Sequence, residues 1–242
     1  MGVQIIRDMV VLADDQDLSC SGKVVNLATE VAALDTTAVC TTTNHVTLIG
    51  GLKSGTIDLE LMADFAEGHD SAIWSELGGS VIHSVGFGSA DGSLAYTFRG
   101  IPVSYTPFEG SVGDLAMARM SGSSASSPVV RGALVHPVTA RTSSGSGTGR
   151  QIGAVQAGKA MYAALHIVAA SGTSPTLDVK VQSDDNAGFA SPTDRITFTQ
   201  ATGTGAQFDS VAGAITDDYW RIVYTIGGTT PSFTFAAVIG FI

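Results

Sequence analysis

From Thr56 to Phe65 the chain alternates strictly: Ile57, Leu59, Leu61, Ala63 and Phe65 take one parity, and Thr56, Asp58, Glu60, Met62 and Asp64 the other. A strand turns successive side chains to opposite faces, so the segment reads as a strand with one buried face and one solvated, acidic face. Gly50-Gly51-Leu52-Lys53-Ser54-Gly55 reads as the turn that feeds it. Same-face neighbours on a strand stand about 7 Å apart, so Asp58, Glu60 and Asp64 repel one another. What that face looks at becomes the central question.

Further strands are expected at Val46–Ile49, Ser80–Val85 and Ser93–Arg99, the last after an Asp91-Gly92 turn of the kind hairpins use. Asp114–Met120 and Val129–Val135 read as a hairpin joined by the Ser/Gly stretch 121–128. One helix is expected over Ser71–Leu77, capped by Asp70 and ended by Gly78, with Ile73, Trp74 and Leu77 as its apolar stripe.

Thr139–Arg150 is Ser/Gly-rich and reads as a flexible linker between independently folding parts. Beyond it, Met161–Ala169, Leu177–Gln182, Arg195–Thr199, Tyr219–Thr225 and Ser232–Ile239 are β-rich runs. Gly172-Thr-Ser-Pro175 and Gly228-Thr-Thr-Pro231 recur as equivalent turns, each launching an alternating strand. The expectation is a mainly β chain: a domain at 1–138 with one short helix, a linker at 139–150, and a C-terminal β-sandwich at 151–242.

Composition agrees with many turns and few long helices: 242 residues, 29 glycines, 44% hydrophobic and 14% charged. The net charge of −10 argues against nonspecific attraction to nucleic acid or anionic membrane. Residues 1–140 hold six basic against 15 acidic groups, and 141–242 six against seven, so the acidity belongs to the first part. Cys20 and Cys40 make neither a disulfide framework nor a metal spacing and read as two unpaired thiols in small core positions. The start of the chain shows no basic and apolar signal pattern, and Tyr162–Ala170 is too short and too polar at His166 to span a membrane. These features read as a soluble chain made in the cytoplasm.

Catalytic signatures are missing. Gly153-Ala-Val-Gln-Ala-Gly158-Lys159-Ala160 approaches a phosphate-binding loop but puts Ala160 where a hydroxyl must reach magnesium. His45, His69, His83, His136 and His166 lack ligand spacing and read as surface or satisfied core residues. Asp14–Asp17 and Asp184–Asn186 suit calcium or ordinary turns, and turns are the simpler reading. Asp64, Glu67, His69, Asp70 and Ser71 cluster without an oxyanion donor. No enzyme, cofactor or metal is expected.

Leu34-Asp35-Thr36-Thr37 precedes Gly51-Leu52-Lys53-Ser54-Gly55 and the alternating strand. The short helix before Gly78-Gly79 follows, then Leu94–Arg99, Ile101–Tyr105 and the turn Gly110–Gly113. In that order these resemble the major tail tube proteins of long, non-contractile-tailed bacteriophages, over about residues 1–137. Residues 141–242 resemble a C-terminal β-sandwich appended to some phage virion proteins, on Gly172–Pro175, Gly213–Asp217, Tyr219-Trp220-Arg221 and Gly228–Phe233.

The resemblance implies rings of six subunits stacked into a hollow tube, whose inner strands join in one β-barrel through which DNA leaves the capsid. It makes Asp58, Glu60 and Asp64 candidates to face the bore, and Asp35, Thr36, Thr37, Lys53 and Ser54 candidates for contacts between subunits or rings. A carboxylate lining repels the polyanion and leaves it free to slide. The partners it implies are further copies, the tape measure and tail-end proteins, and DNA that passes without specific binding, with no membrane. The location it implies is the tail of a virion, with the β-sandwich projecting outward. The alternative is a capsid-decorating or host-surface-binding protein whose second domain carries recognition through Tyr219, Trp220 or Tyr224.

Overall fold

The computed structural model describes residues 8–37, 46–63, 68–125 and 127–242. Asp64, Glu67, Cys40 and His45 lie outside the described residues. In chain order the elements are β1 (Val10–Ala13), β2 (Gln16–Asp17), β3 (Gly22–Asp35), β4 (Leu48–Met62), α1 (His69–Ser75), β5 (Val81–Gly86), β6 (Leu94–Glu109), β7 (Met117–Ser124) and β8 (Val130–Arg141). There follow β9 (Gly145–Ser146), β10 (Arg150–Gln151), β11 (Ala160–Asp184), β12 (Thr193–Thr197), β13 (Gly205–Ala212) and β14 (Tyr219–Phe241). The fold is mainly β, and all of these strands belong to one antiparallel sheet.

That sheet folds back on itself into four layers, because its strands carry apolar residues on alternate or on both faces. The first layer is β3, β4, β7 and the second half of β6; the second is the first half of β6 with β5, β1 and β2. Between them lie Ile57, Leu59 and Leu61 from β4, Val11 from β1, Val81 and Val85 from β5, and Met120 from β7. The opposite parity of β1, Val10 and Leu12, packs with Ala95, Leu134, Ala236 and Val238. This buries the second layer on both faces and joins it to a third layer of β13, β11, β14 and β8. A third cluster, with Leu165, Leu177, Trp220, Ile222, Phe233 and Phe235, separates that layer from a fourth.

The third and fourth layers are largely one ribbon. β11 and β14 pair along nearly their whole length, and Thr173 stands opposite Thr229 at the bend. The two Gly-Thr-x-Pro segments are therefore not separate turns between short strands. They are facing bends inside two strands of 25 and 23 residues. A Cβ on Gly172 would sit 2.8 Å from the carbonyl of Thr230, and one on Gly228 2.7 Å from that of Ser174. With φ near +117° and +112°, both positions require glycine. The bend folds the ribbon over its own core.

Other expectations change with the pairing. β7 and β8 do not form a hairpin; both pair with β6, β7 beyond Gly100 and β8 before it. The Ser/Gly run between them moves the chain along that edge from one layer to the next. The stretch 139–150 is paired as well: Thr139–Arg141 lie opposite Phe235–Phe233, and Gly145-Ser146 and Arg150-Gln151 add two short strands to β14. α1 begins at His69 after Gly68, with no side-chain cap; Asp70 sits in the first turn and accepts the hydroxyl of Tyr105 at 2.8 Å. Cys20 is exposed and free, so it is not a core position.

Candidate functional site

The alternation that opened the sequence holds in space. Ile57, Leu59 and Leu61 are buried, Asp58 is exposed and Glu60 half-buried. Register extends the outward face across four strands. Asn26, Asp58, Ser121 and Ser104 form one row, and Val24, Glu60, Arg119 and Thr106 the next. Ser121 donates its hydroxyl to Asp58. Glu30, opposite Ser54, continues the face along β3.

Arg119, which no sequence motif marks, is the centre of this face. Its guanidinium contacts Glu109 at 2.8 Å and Glu60 at 3.9 Å. Arg119 lies between buried Ala118 and Met120, so its outward parity was readable. Its place against the acidic strand was not, because that depends on β4 and β7 pairing. The face thus carries Glu30, Asp58, Glu60 and Glu109 against one base. That base is held on the face's own carboxylates, so the surface stays acidic, with Val24 and Met62 as exposed apolar positions on it.

Beyond Thr56, β3 and β4 leave the sheet as a two-stranded arm. Val31, Leu34, Leu48, Ile49 and Leu52 are exposed on it, Leu52 to 87%. Asp35, Thr36 and Thr37 extend the pairing: Thr36 donates both its N–H and its hydroxyl to the Thr47 carbonyl. The N–H and hydroxyl of Thr37 hold the Asp35 carboxyl below its ordinary value. Lys53 and Ser54 lie on the arm with opposite parity, Ser54 on the acidic face and Lys53 on the other.

The remaining polar groups are structural. Ser84 Oγ, His166 Nε2 and His166 Nδ1 form a chain ending on the Asp14 carbonyl, which has the outline of an activated hydroxyl. Ser84 and His166 are 1% and 0% exposed, so no substrate reaches them. His136 is buried between Arg141 and the Phe235 carbonyl. His83 is buried with both ring nitrogens unpartnered, contrary to the expectation of a satisfied core histidine. The carboxylates of Asp14, Asp17 and Asp184 accept backbone N–H groups of Ile82, Ser19, Asn186 and Ser191, which is turn-building geometry. Among the described residues no group of three or more metal-ligating side chains comes together, and no helix is long and apolar enough to cross a membrane. Gly153–Ala160 leads into strand β11 rather than a helix, so it lacks the phosphate-binding architecture. Trp220 and Tyr224, offered for surface recognition, are 0% and 6% exposed.

No family model matches the chain, and no curated protein matches it in sequence. Among solved structures, a chain in the virion of a native gene transfer agent particle is similar at 17% identity and TM-score 0.43, over 52% of this chain and 98% of that one. A chain of the SPP1 tail tube is similar at 11% identity and TM-score 0.41, over 50% and 76%. The SPP1 Dit protein aligns over 98% and 100% at 11% identity, with TM-score 0.35.

Proposed function

We propose that the chain is the structural subunit of a phage tail tube, six copies closing into a ring and rings stacking into a bore that conducts DNA. The observation that carries this reading is the first layer. It has four strands, one face on the core and the other mainly polar and acidic, and among the described residues neither of its outer edges pairs with another strand. As strands, β3 pairs only with β4 and β6 beyond Gly100 only with β7; Gly22 N–H to the Leu18 carbonyl and Gly78 N–H to the Pro102 carbonyl are local bonds at their ends.

Free edges of this length are a liability in an isolated chain and a joint in an assembly. Every pairing in the layer is antiparallel, and the strand count is even, so β3 and β6 run in opposite directions. The β3 of one copy set beside the β6 of the next continues an antiparallel sheet without interruption. Identical heterologous joints of this kind close into a ring when the rotation permits.

In such a ring Asp58 and Glu60 line the bore, with Asp64 proposed beside them. A lumen offering Lys or Arg to phosphate would release counterions and grip DNA. Here the one base on the wall is occupied by Glu109 and Glu60, so the polyanion is repelled from the wall and slides. The third and fourth layers stack on the second, away from the acidic face, so residues 151–242 sit outside the tube. The exposed apolar arm carries Lys53 and Ser54 at its base, for contacts between subunits, and Asp35, Thr36 and Thr37 farther out, for contacts with the neighbouring ring. The chain thus belongs to the tail of a virion built in the host cytoplasm, beside tape measure and tail-end proteins. Electron microscopy and sedimentation of the purified protein test the assembly: sixfold rings or tubes support it, and a monomer at high concentration contradicts it.

A further inference from the structure

The two ends of the first layer differ in a way that backbone pairing does not require. At the β6 end, α1 closes the gap between the layers. Its Ile73 is buried in the core, the Gly78 N–H beyond it reaches the Pro102 carbonyl at 2.9 Å, and Tyr105 holds Asp70. The outer side of α1 carries Trp74, 62% exposed, followed by Glu76 and by Leu77, also exposed. A large aromatic residue on the solvent side of a seven-residue helix contributes nothing to this chain's core.

At the β3 end the same gap is open. A groove of about 320 Å³ is lined mainly by Met9, Val25, Leu27, Val85, Phe87 and Tyr96. Phe87 is 48% exposed and meets Tyr96 edge-on at 6.0 Å. Along β3 and β4 the groove-facing parity runs on from Leu27 and Ile57, through Thr29 and Gly55, to Val31 and Lys53. Lys53 thus lies on the groove-facing parity one row past Thr29, where the groove ends, and lines the adjoining pocket with Val31 and Val129. Glu76 and Lys53 are both exposed, and among the described residues neither is in an ion pair.

We infer that Trp74 of one copy seats in this groove of the next copy, with Glu76 of the first meeting Lys53 of the second. The inference rests on the ring reading above and adds to it the side-chain lock that sets which edges meet. An apolar knob at one end of the layer and an apolar groove at the other are complementary only head to tail, the heterologous geometry that a ring needs. The opposite charges flanking them fix orientation, and burial of a large aromatic in a desolvated pocket supplies the affinity. The occupant is a second copy rather than a foreign chain because knob, groove, both charges and both free edges lie on one sequence, in matching order.

Mixed disulfide trapping tests it in a Cys20→Ser/Cys40→Ser background. Chains carrying Trp74→Cys and chains carrying Phe87→Cys are expected to cross-link when mixed and not when oxidised separately. Glu76→Lys and Lys53→Glu alone are each expected to raise the concentration needed for ring formation roughly tenfold or more, and together to restore it. Trp74→Ala is expected to do the same as the single charge changes while leaving the melting temperature of the dispersed chain unchanged. Rings that form normally from Trp74→Ala chains, with no mixed cross-link and no charge rescue, overturn the lock but leave the ring. A cross-link between two Trp74→Cys chains overturns it in favour of a symmetric dimer. A Phe87→Cys thiol that is shielded from a small thiol reagent in the dispersed monomer overturns it in favour of an occupant from the same chain. A wild-type chain that never oligomerises overturns the lock and the ring together.

Discussion

Ser84 Oγ lies 2.8 Å from His166 Nε2 across 82 positions of sequence, at the seam between the second and third layers. The contact belongs to a buried chain of four. His166 Nδ1 meets the Asp14 carbonyl at 2.8 Å, Ser84 meets Thr97 at 2.9 Å, and Thr97 meets the His83 carbonyl at 3.0 Å. A neutral imidazole and two hydroxyls bring three protons to these four contacts; an imidazolium would bring the fourth. Burial opposes that charge and holds His166 down to about 4. Removing the hydroxyl by Ser84→Ala leaves a ring nitrogen unsatisfied and is expected to destabilise the fold by about 1–3 kcal/mol, read as a drop in the urea midpoint.

Acid is expected to unfold the chain through its buried histidines. Burial holds His83 to about 3, with the nearby His166 adding to the effect, and holds His136 to about 4, with Arg141 adding. An unfolded histidine titrates near 6.5, so below that pH the unfolded chain binds protons that the folded chain refuses. The stability is present above about 6.5 and is lost as pH falls toward 4. Asp14 works the other way: burial lifts its carboxyl to about 6, so its protonation offsets part of the loss below that pH. Urea midpoints measured from pH 7 to 4 are expected to fall steeply, and less steeply in His166→Gln. A flat profile contradicts this.

Truncation after Arg141 is expected to disable the remaining chain. It removes Ala236 and Val238 from Val10, Leu12 and Leu134, takes His166 from Ser84, and takes the Phe208 carbonyl from Arg99. The fragment is expected to aggregate or melt well below the full chain in calorimetry. A fragment with an unchanged melting temperature would show that the two parts fold independently after all.

The bend in the third and fourth layers gives a symmetry test. Gly172→Ala and Gly228→Ala meet the same kind of carbonyl at nearly the same distance, and both need positive φ. Each is expected to destabilise by roughly 1–3 kcal/mol, by similar amounts, in chemical denaturation. Because the two sites touch, the double variant is expected to lose less than the sum.

Legibility from sequence followed the range of the interactions. Ile57, Leu59 and Leu61 announce themselves because a buried face needs only local alternation. Gly92 marks its turn for the same reason, with φ near +85°. Gly-Thr-x-Pro reads as a chain reversal when each copy is seen alone; only the facing pair turns it into a bend within two continuous strands. Asp70 reads as a cap until Tyr105, 35 positions away, claims its carboxylate. Burial of that hydroxyl, with Asp70 beside it, pushes the Tyr105 ionisation upward. Arg119 and His166 owe their roles to strands distant in sequence, which no local pattern specifies.

The acidity of the bore is tested by Asp58→Lys combined with Glu60→Lys. Both side chains point away from the core, so rings are still expected. Tubes of the variant are expected to retain double-stranded DNA at low salt and release it as salt rises, whereas wild-type tubes retain none. Equal behaviour of the two would remove the electrostatic role of this face.

The most direct measurement is a cryo-electron-microscopy reconstruction of the assembled wild-type protein. The account predicts sixfold rings in which β3 of one copy pairs with β6 of the next and Asp58, Glu60 and Arg119 line the bore. Particles that remain monomeric at high concentration, or rings whose bore is lined by residues 151–242, would contradict it.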